Sequence, residues 1–229
     1  MPNHFRAIVA ASVAAAPSLA HAERIEVGGY AGGTSTTMHQ RFACDPPTSP
    51  DDVCVSSAAP HDGAHGVSLG GYVRYPVFRP LLVEADLTYA QKGYGGSDVR
   101  MHYLEAPILV RVDPYGAWSH ARAFGYGGLA PALHLGCHAS GMRWDNDTNM
   151  AVPYSDPCGQ WPFYPRAPNR FDLGLVIGGG IGWESSFGVF ELHARYIEGL
   201  LDNGTWDGGT TVNRALYVFA GFGRALGKH

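Results

Sequence analysis

Charge is what this chain has little of. Only 16% of its 229 residues are Asp, Glu, Lys or Arg, against roughly 25% in an ordinary soluble domain. The formal net charge of −4 argues against a nucleic-acid partner, which would call for a basic patch. No apolar run reaches the roughly 20 residues of a spanning helix, which excludes a helical membrane bundle. At 45% hydrophobic residues the chain is also too apolar to be disordered. A mean hydropathy of −0.09 leaves one membrane architecture open. A transmembrane β-barrel alternates apolar and polar residues along each strand, so its average stays near zero.

Several motifs of chemistry are missing as well. The four cysteines, Cys44, Cys54, Cys137 and Cys158, include no C-x-x-C pair. His61/His65 and His134/His138 are four apart but sit in no helical pattern that would put them on one face, so no metal site is expected. Gly28 to Gly33 lacks the third glycine of a dinucleotide fingerprint, and no Lys-Ser/Thr follows Gly178 to Gly182. No cofactor is expected.

What is present begins with an export signal. Arg6 precedes an apolar run from Ala7 to Ala16, and Ala20-His21-Ala22 is an A-x-A-like cleavage site. Residues 1–22 therefore read as a signal peptide and 23–229 as the mature domain. Glu23, not Cys, follows the site, so no lipoprotein anchor is indicated. In an oxidising compartment the cysteines read as disulfides. Four allow three pairings; Cys44–Cys54 and Cys137–Cys158 fit best, each lying within one polar, Pro-rich segment. Each bridge would contribute about 3 kcal/mol in the chain-entropy model.

Glycine is abundant, at 31 residues, about twice the usual share. With it comes period-two alternation broken by Gly, Pro, Asn and Asp clusters, the signal of strands and turns. Eight strands are expected: Ile25–Gly33, Gly66–Tyr75, Leu81–Gln91, Tyr103–Val112, Ala121–Leu135, Phe171–Trp183, Val189–Tyr196 and Arg214–Leu226. The facing of Ala121–Leu135 stays open. Short connections (76–80, 113–120, 184–188) alternate with longer ones (34–65, 93–100, 137–170, 197–213), as in an outer-membrane barrel. Both cysteine pairs fall in the two longest.

Alternation alone does not say which face is inside, and a soluble lipocalin-like barrel alternates too. The polar faces carry Arg74, Glu84, Asp86, Glu105, Arg111, Asp172, Glu191 and Arg195. So little charge would not wet a soluble surface. Glycines on the polar faces suit a crowded narrow lumen, and Tyr75, Tyr89, Trp183 and Tyr196 near strand ends suit an interfacial girdle. The expectation is an all-β, eight-stranded, antiparallel up-and-down transmembrane barrel with both termini periplasmic. Its eight charged residues form a lumen network in which Arg forks pair with carboxylates.

Four stretches carry a family resemblance. Tyr103 to Arg111 (YLEAPILVR) resembles the "YLEIPLLLK" strand of PorT-like bacterial outer-membrane β-barrel proteins. Glu84 to Gly93 (EADLTYAQKG) is similar to the strand that precedes it there. Phe171 to Gly180 and Glu191 to Leu200 (ELHARYIEGL) are similar to later ones. The resemblance implies an outer-membrane barrel and no single activity; the cysteine-bearing loops match nothing in that pattern. His193 beside Glu191 is similar to a His two residues before a Ser in outer-membrane lipid A deacylases, but Arg195 stands where the Ser would be.

The expected function is thus an integral bacterial outer-membrane protein, structural or surface-interacting through its long loops, without catalysis. Its partners would be outer-membrane lipid and an extracellular ligand or protein at those loops, and its state monomeric. The alternatives are a narrow porin-like channel, a lipid A-modifying enzyme and, with the faces reversed, a soluble periplasmic binder.

Overall fold

A computed structural model describes residues 25–42, 63–78, 80–94, 98–114, 120–145, 149–157, 169–201 and 209–226. The signal segment 1–22 and Cys44, Cys54 and Cys158 lie outside them, and with these the proposed cysteine pairings; Cys137 is not a free thiol. The elements are β1 (Ile25–Phe42), β2 (Ala64–Phe78), β3 (Leu81–Tyr94), β4 (Asp98–Glu105), β5 (Ile108–Val112), β6 (Ala121–Asp145), β7 (Met150–Pro157), β8 (Phe171–Ser185), β9 (Gly188–Gly199) and β10 (Gly209–Leu226).

All pairings are antiparallel, and the sheet closes on itself. β1 pairs with β2 on one side and β10 on the other, from Ile25↔Leu226 to Phe42↔Gly209. The path runs on through β9, β8, β6, β4 with β5, β3 and back to β2. β4 and β5 are one strand of the ring, interrupted where Pro107 supplies no N–H. The gap is bridged by Asp86 N–H to Pro107 O at 2.9 Å and Ala106 N–H to Pro131 O at 2.8 Å. β7 lies outside the ring, paired only with the far end of β6. Eight strands therefore form an up-and-down barrel.

The sequence-based boundaries need correcting at the loop end. β1 continues nine residues beyond Gly33 to Phe42, and β6 ten beyond Leu135 to Asp145. The expected loop 137–170 holds the end of β6 and all of β7. The connection between β3 and β4 shrinks to 95–97. These extensions lack an uninterrupted apolar face, so period two fades from the residues although the backbone ladder continues.

The facing is inverted relative to a soluble barrel. Leu69, Leu87, Ile108, Leu129, Leu175, Ile177, Leu192 and Val218 are exposed on the outside, while Arg74, Glu84, Arg111 and Arg195 are buried inside. β6 shows its side as well: Phe124, Tyr126, Ala130 and Ala132 point in, Leu129 and Leu133 out. Along β8 the apolar outer row runs twelve steps from Phe171 to Trp183. At ~3.3 Å per step and ~40° tilt that spans about 30 Å, enough to cross a bilayer core. Tyr75 and Trp183 stand exposed near the short-turn end with Phe78 and Phe187; Tyr89 and Tyr196 lie toward the other end. An apolar coat around an ionic interior is stable only in lipid, so the soluble alternative is overturned. This is a membrane-spanning barrel of the bacterial outer-membrane kind.

Candidate functional site: an ionic lumen

The lumen is stacked in three layers, because inward residues of neighbouring strands share a height through the register. Nearest the short turns, Arg74 opposes Glu84 across β2–β3 and Glu26 across β1–β2. Its guanidinium bonds Glu84, reaches Glu26 at 2.6 Å and forks onto Glu191 at 2.6 and 3.0 Å. Arg111, from β5, meets the same Glu191 at 2.7 Å and Asp113 at 2.6 Å. Arg122 completes the layer at 3.3 Å from both Glu26 and Glu191. Glu191 is the hub, held by three arginines.

The middle layer is one cation in an aromatic cage. Arg195 bonds Asp86, and Asp86 also accepts from Tyr30 Oη at 3.1 Å. The guanidinium carbon lies 5.4 to 5.7 Å from the Phe219, Tyr126 and Tyr30 ring centres. Arg195 Nε and Nη1 have no oxygen partner among the described residues; the ring faces surround the guanidinium instead. His193 packs in the same cage, with Nδ1 3.0 Å from Tyr126 Oη.

The upper layer holds Lys92, 2.6 Å from Glu105, with Tyr217 Oη donating to the same carboxylate at 2.9 Å. Asp172 accepts from Asn213 Nδ2 at 3.0 Å. A common construction recurs through the layers. Each buried cation has a carboxylate on one side and a ring on the other: Arg74 over Tyr72 at 3.8 Å, Arg111 over Phe124 at 3.5 Å, Lys92 over Tyr103 at 4.7 Å.

Room for the rings comes from inward glycines. A Cβ on Gly178 would stand 2.5 Å from the Tyr126 ring and 2.6 Å from Ala194 O; one on Gly70 would stand 2.8 Å from the Tyr30 ring. This is why the polar faces carry glycine: each ring occupies the space over a neighbouring strand's missing side chain.

Arg74, Glu84, Asp86, Glu105, Arg111, Asp172, Glu191 and Arg195 all face inward and are buried. They are not one cluster. Arg74, Glu84, Arg111 and Glu191 form the lower layer, Asp86 and Arg195 the middle, Glu105 and Asp172 the upper. Residue patterning missed Lys92, Arg122, Glu26 and Asp113 as members. Lys92 shares the parity of Glu84 and Asp86 but lies one residue beyond the strand as read. Among the described residues no three His, Cys, Asp or Glu converge as a metal would need.

No family model matches the chain, and no curated protein matches it. Among solved structures it is similar to the outer membrane protein OprG from Pseudomonas aeruginosa, at 11% identity and TM-score 0.47, over 90% of this chain and 98% of that one. Neisserial surface protein A is similar at 12% identity and TM-score 0.44, covering 85% and 95%. Ail, the attachment invasion locus protein of Yersinia pestis, is similar at 12% and 0.41, covering 88% and 99%.

Proposed function

We propose that this chain is a non-conducting, non-catalytic outer-membrane barrel that serves as a rigid mount for its loop-end segments, which meet an extracellular ligand or protein. The observation that supports this most is the lower ionic layer. Arg74, Arg111, Glu84 and Glu191 fill the cross-section with almost no exposed atoms, as an eight-stranded barrel of this girth allows. A solute path would have to break the Arg74–Glu84, Arg74–Glu191, Arg111–Glu84 and Arg111–Glu191 contacts together. The lipid A-modifying alternative is disfavoured by His193, which is buried in the ring cage and bonded to Tyr126, while Glu191 is engaged by arginines. Among the described residues no Ser or Thr hydroxyl is bonded to His193. The resemblance to PorT-like barrels agrees with this reading, and disulfides Cys44–Cys54 and Cys137–Cys158 would brace the displayed segments.

Reconstitution tests it. Purified protein in planar bilayers is expected to give no steady current, and Arg74→Ala with Arg111→Ala to admit ions. Steady conductance of the unaltered chain would favour the channel instead. A lipid A species lacking an acyl chain only in cells that make the protein would favour the enzyme.

A further inference from the structure

We infer that the outer wall where β4 and β6 pair, just above the apolar belt, binds the phosphate of an anionic lipid headgroup in the loop-end leaflet. The inference rests on the membrane-spanning reading and adds a ligand to it.

Arg100 and His138 are register partners across β4–β6 and both are exposed. Side chains so placed start about 5 Å apart on one face. His102 lies two residues nearer the membrane. Its Nδ1 is 2.6 Å from Tyr89 Oη, and His138 Nε2 is 2.6 Å from Ser155 Oγ. With the hydroxyl donating in each case, each ring keeps its N–H on the other nitrogen. Among the side chains described, no carboxylate forms an ion pair with Arg100.

The opposite wall is different. There Arg214 is 2.9 Å from Glu198, so its charge is already answered.

Height decides the ligand. The outer row of β5 and β4 reads Val112, Val110, Ile108, Ala106, Leu104, His102, Arg100. At ~3.3 Å per residue and ~40° tilt, Leu104 lies about 20 Å above Val112, His102 about 25 Å and Arg100 about 30 Å. An outer-membrane apolar band is about 25 Å tall. His102 and Tyr89 therefore mark its edge, and Arg100 with His138 sits at the headgroup. Leu104, Leu133 and Leu135 stand directly below, where acyl chains lie. A planar guanidinium with imidazole N–H donors suits phosphate oxygens, and the apolar column beneath selects a lipid over the free anion.

The test uses the full chain folded in neutral detergent, with native mass spectrometry reading retention of phosphatidic acid, phosphatidylcholine and inorganic phosphate. Phosphatidic acid is expected to be retained over phosphatidylcholine, and Arg100→Gln with His138→Gln to weaken it about tenfold or more. Arg214→Gln is expected to leave retention unchanged. Equal retention of the two lipids, an unaffected double variant, an equal loss in Arg214→Gln, or displacement by equimolar inorganic phosphate would each overturn the site. A heat-dependent gel shift is recorded on every sample. Its absence from the unaltered chain would overturn the membrane-spanning reading, and the lipid site with it; its presence with unselective binding would overturn the site alone.

Discussion

β6 passes through two solvents, and its two stretches obey opposite rules. Up to His134 its even-numbered residues face the lumen and Leu129 and Leu133 face out. Between His134 and Gly136 the β4–β6 register shifts: His134 pairs with Tyr103 and Gly136 with His102, leaving Leu135 between them without a β4 partner. Beyond that bulge the odd residues turn inward. Ala139 packs with Val99, Met101 and Tyr154, while His138 faces out. Within the belt, grease is outside and ions are inside; above it, apolar groups are inside and polar ones outside, as in any protein in water. One extra residue reverses every side chain that follows, and the chain places it where the surroundings change from acyl chains to headgroups.

The largest effect should come from breaking the interior of the spanning stretch. Arg74→Ala strips Glu26, Glu84 and Glu191 of a shared partner. Losing one member of a buried ionic set costs about 3–5 kcal/mol. In urea titrations of folding into lipid vesicles the variant should lose most of its folded fraction, and Glu84→Gln in the same chain should recover part of it. An unchanged midpoint would mean the lower layer is hydrated and does not seal the lumen.

The comparison is sharpest where exposure is equal and only the surroundings differ. Ile177 and Met142 are both 65% exposed. Ile177 is midway along the apolar row of β8, whereas Met142 belongs to the extension. Ile177→Arg should cost about 2–4 kcal/mol, and Met142→Arg less than about 0.5 kcal/mol. Both are read from the same vesicle titration. Equal costs would remove the boundary drawn at Leu135.

Deleting Leu135 attacks the bulge itself. Gly136 would then follow His134 directly, opposite His102, and Cys137, His138 and Ala139 would keep Met101, Arg100 and Val99 as partners and keep their facings. The expected cost is within about 1 kcal/mol in the same vesicle titration, because the ladder loses only a residue that has no β4 partner; a larger loss would mean that the bulge itself holds β6 in place. The gel shift should survive, because the belt below keeps its parity.

The same boundary explains what the residues disclosed. Within the belt each strand must keep one face greasy, so Glu84, Asp86, Arg111, Glu191 and Arg195 could be assigned to a common side by counting in twos. Above it that constraint lapses. Thr34 to Phe42 and Cys137 to Asp145 read as loop, although their backbones stay in the ladder. β7, with Pro153 and Pro157, reads as loop for the same reason. Arg122 was hidden by its setting, since Gly125, Gly127 and Gly128 remove the side chains that would have fixed the facing of β6. The layering of the lumen depends on register between distant strands, such as Arg74 with Glu191. No local pattern encodes that distance.

The smallest effect should be at the ion pair above the belt. Arg214 and Glu198 are 2.9 Å apart with side chains 35% and 28% exposed. Water reaches both, so their attraction is screened and offset by ordering two long side chains. Glu198→Gln should cost no more than about 1 kcal/mol, and the difference from the unaltered chain should shrink further in high salt. The lumen pairs differ in both respects: shielded from ions, the Arg74 defect should hardly change with salt. Measuring the two variants across one salt series separates the media directly, and a salt-sensitive Arg74 defect would place electrolyte inside the barrel.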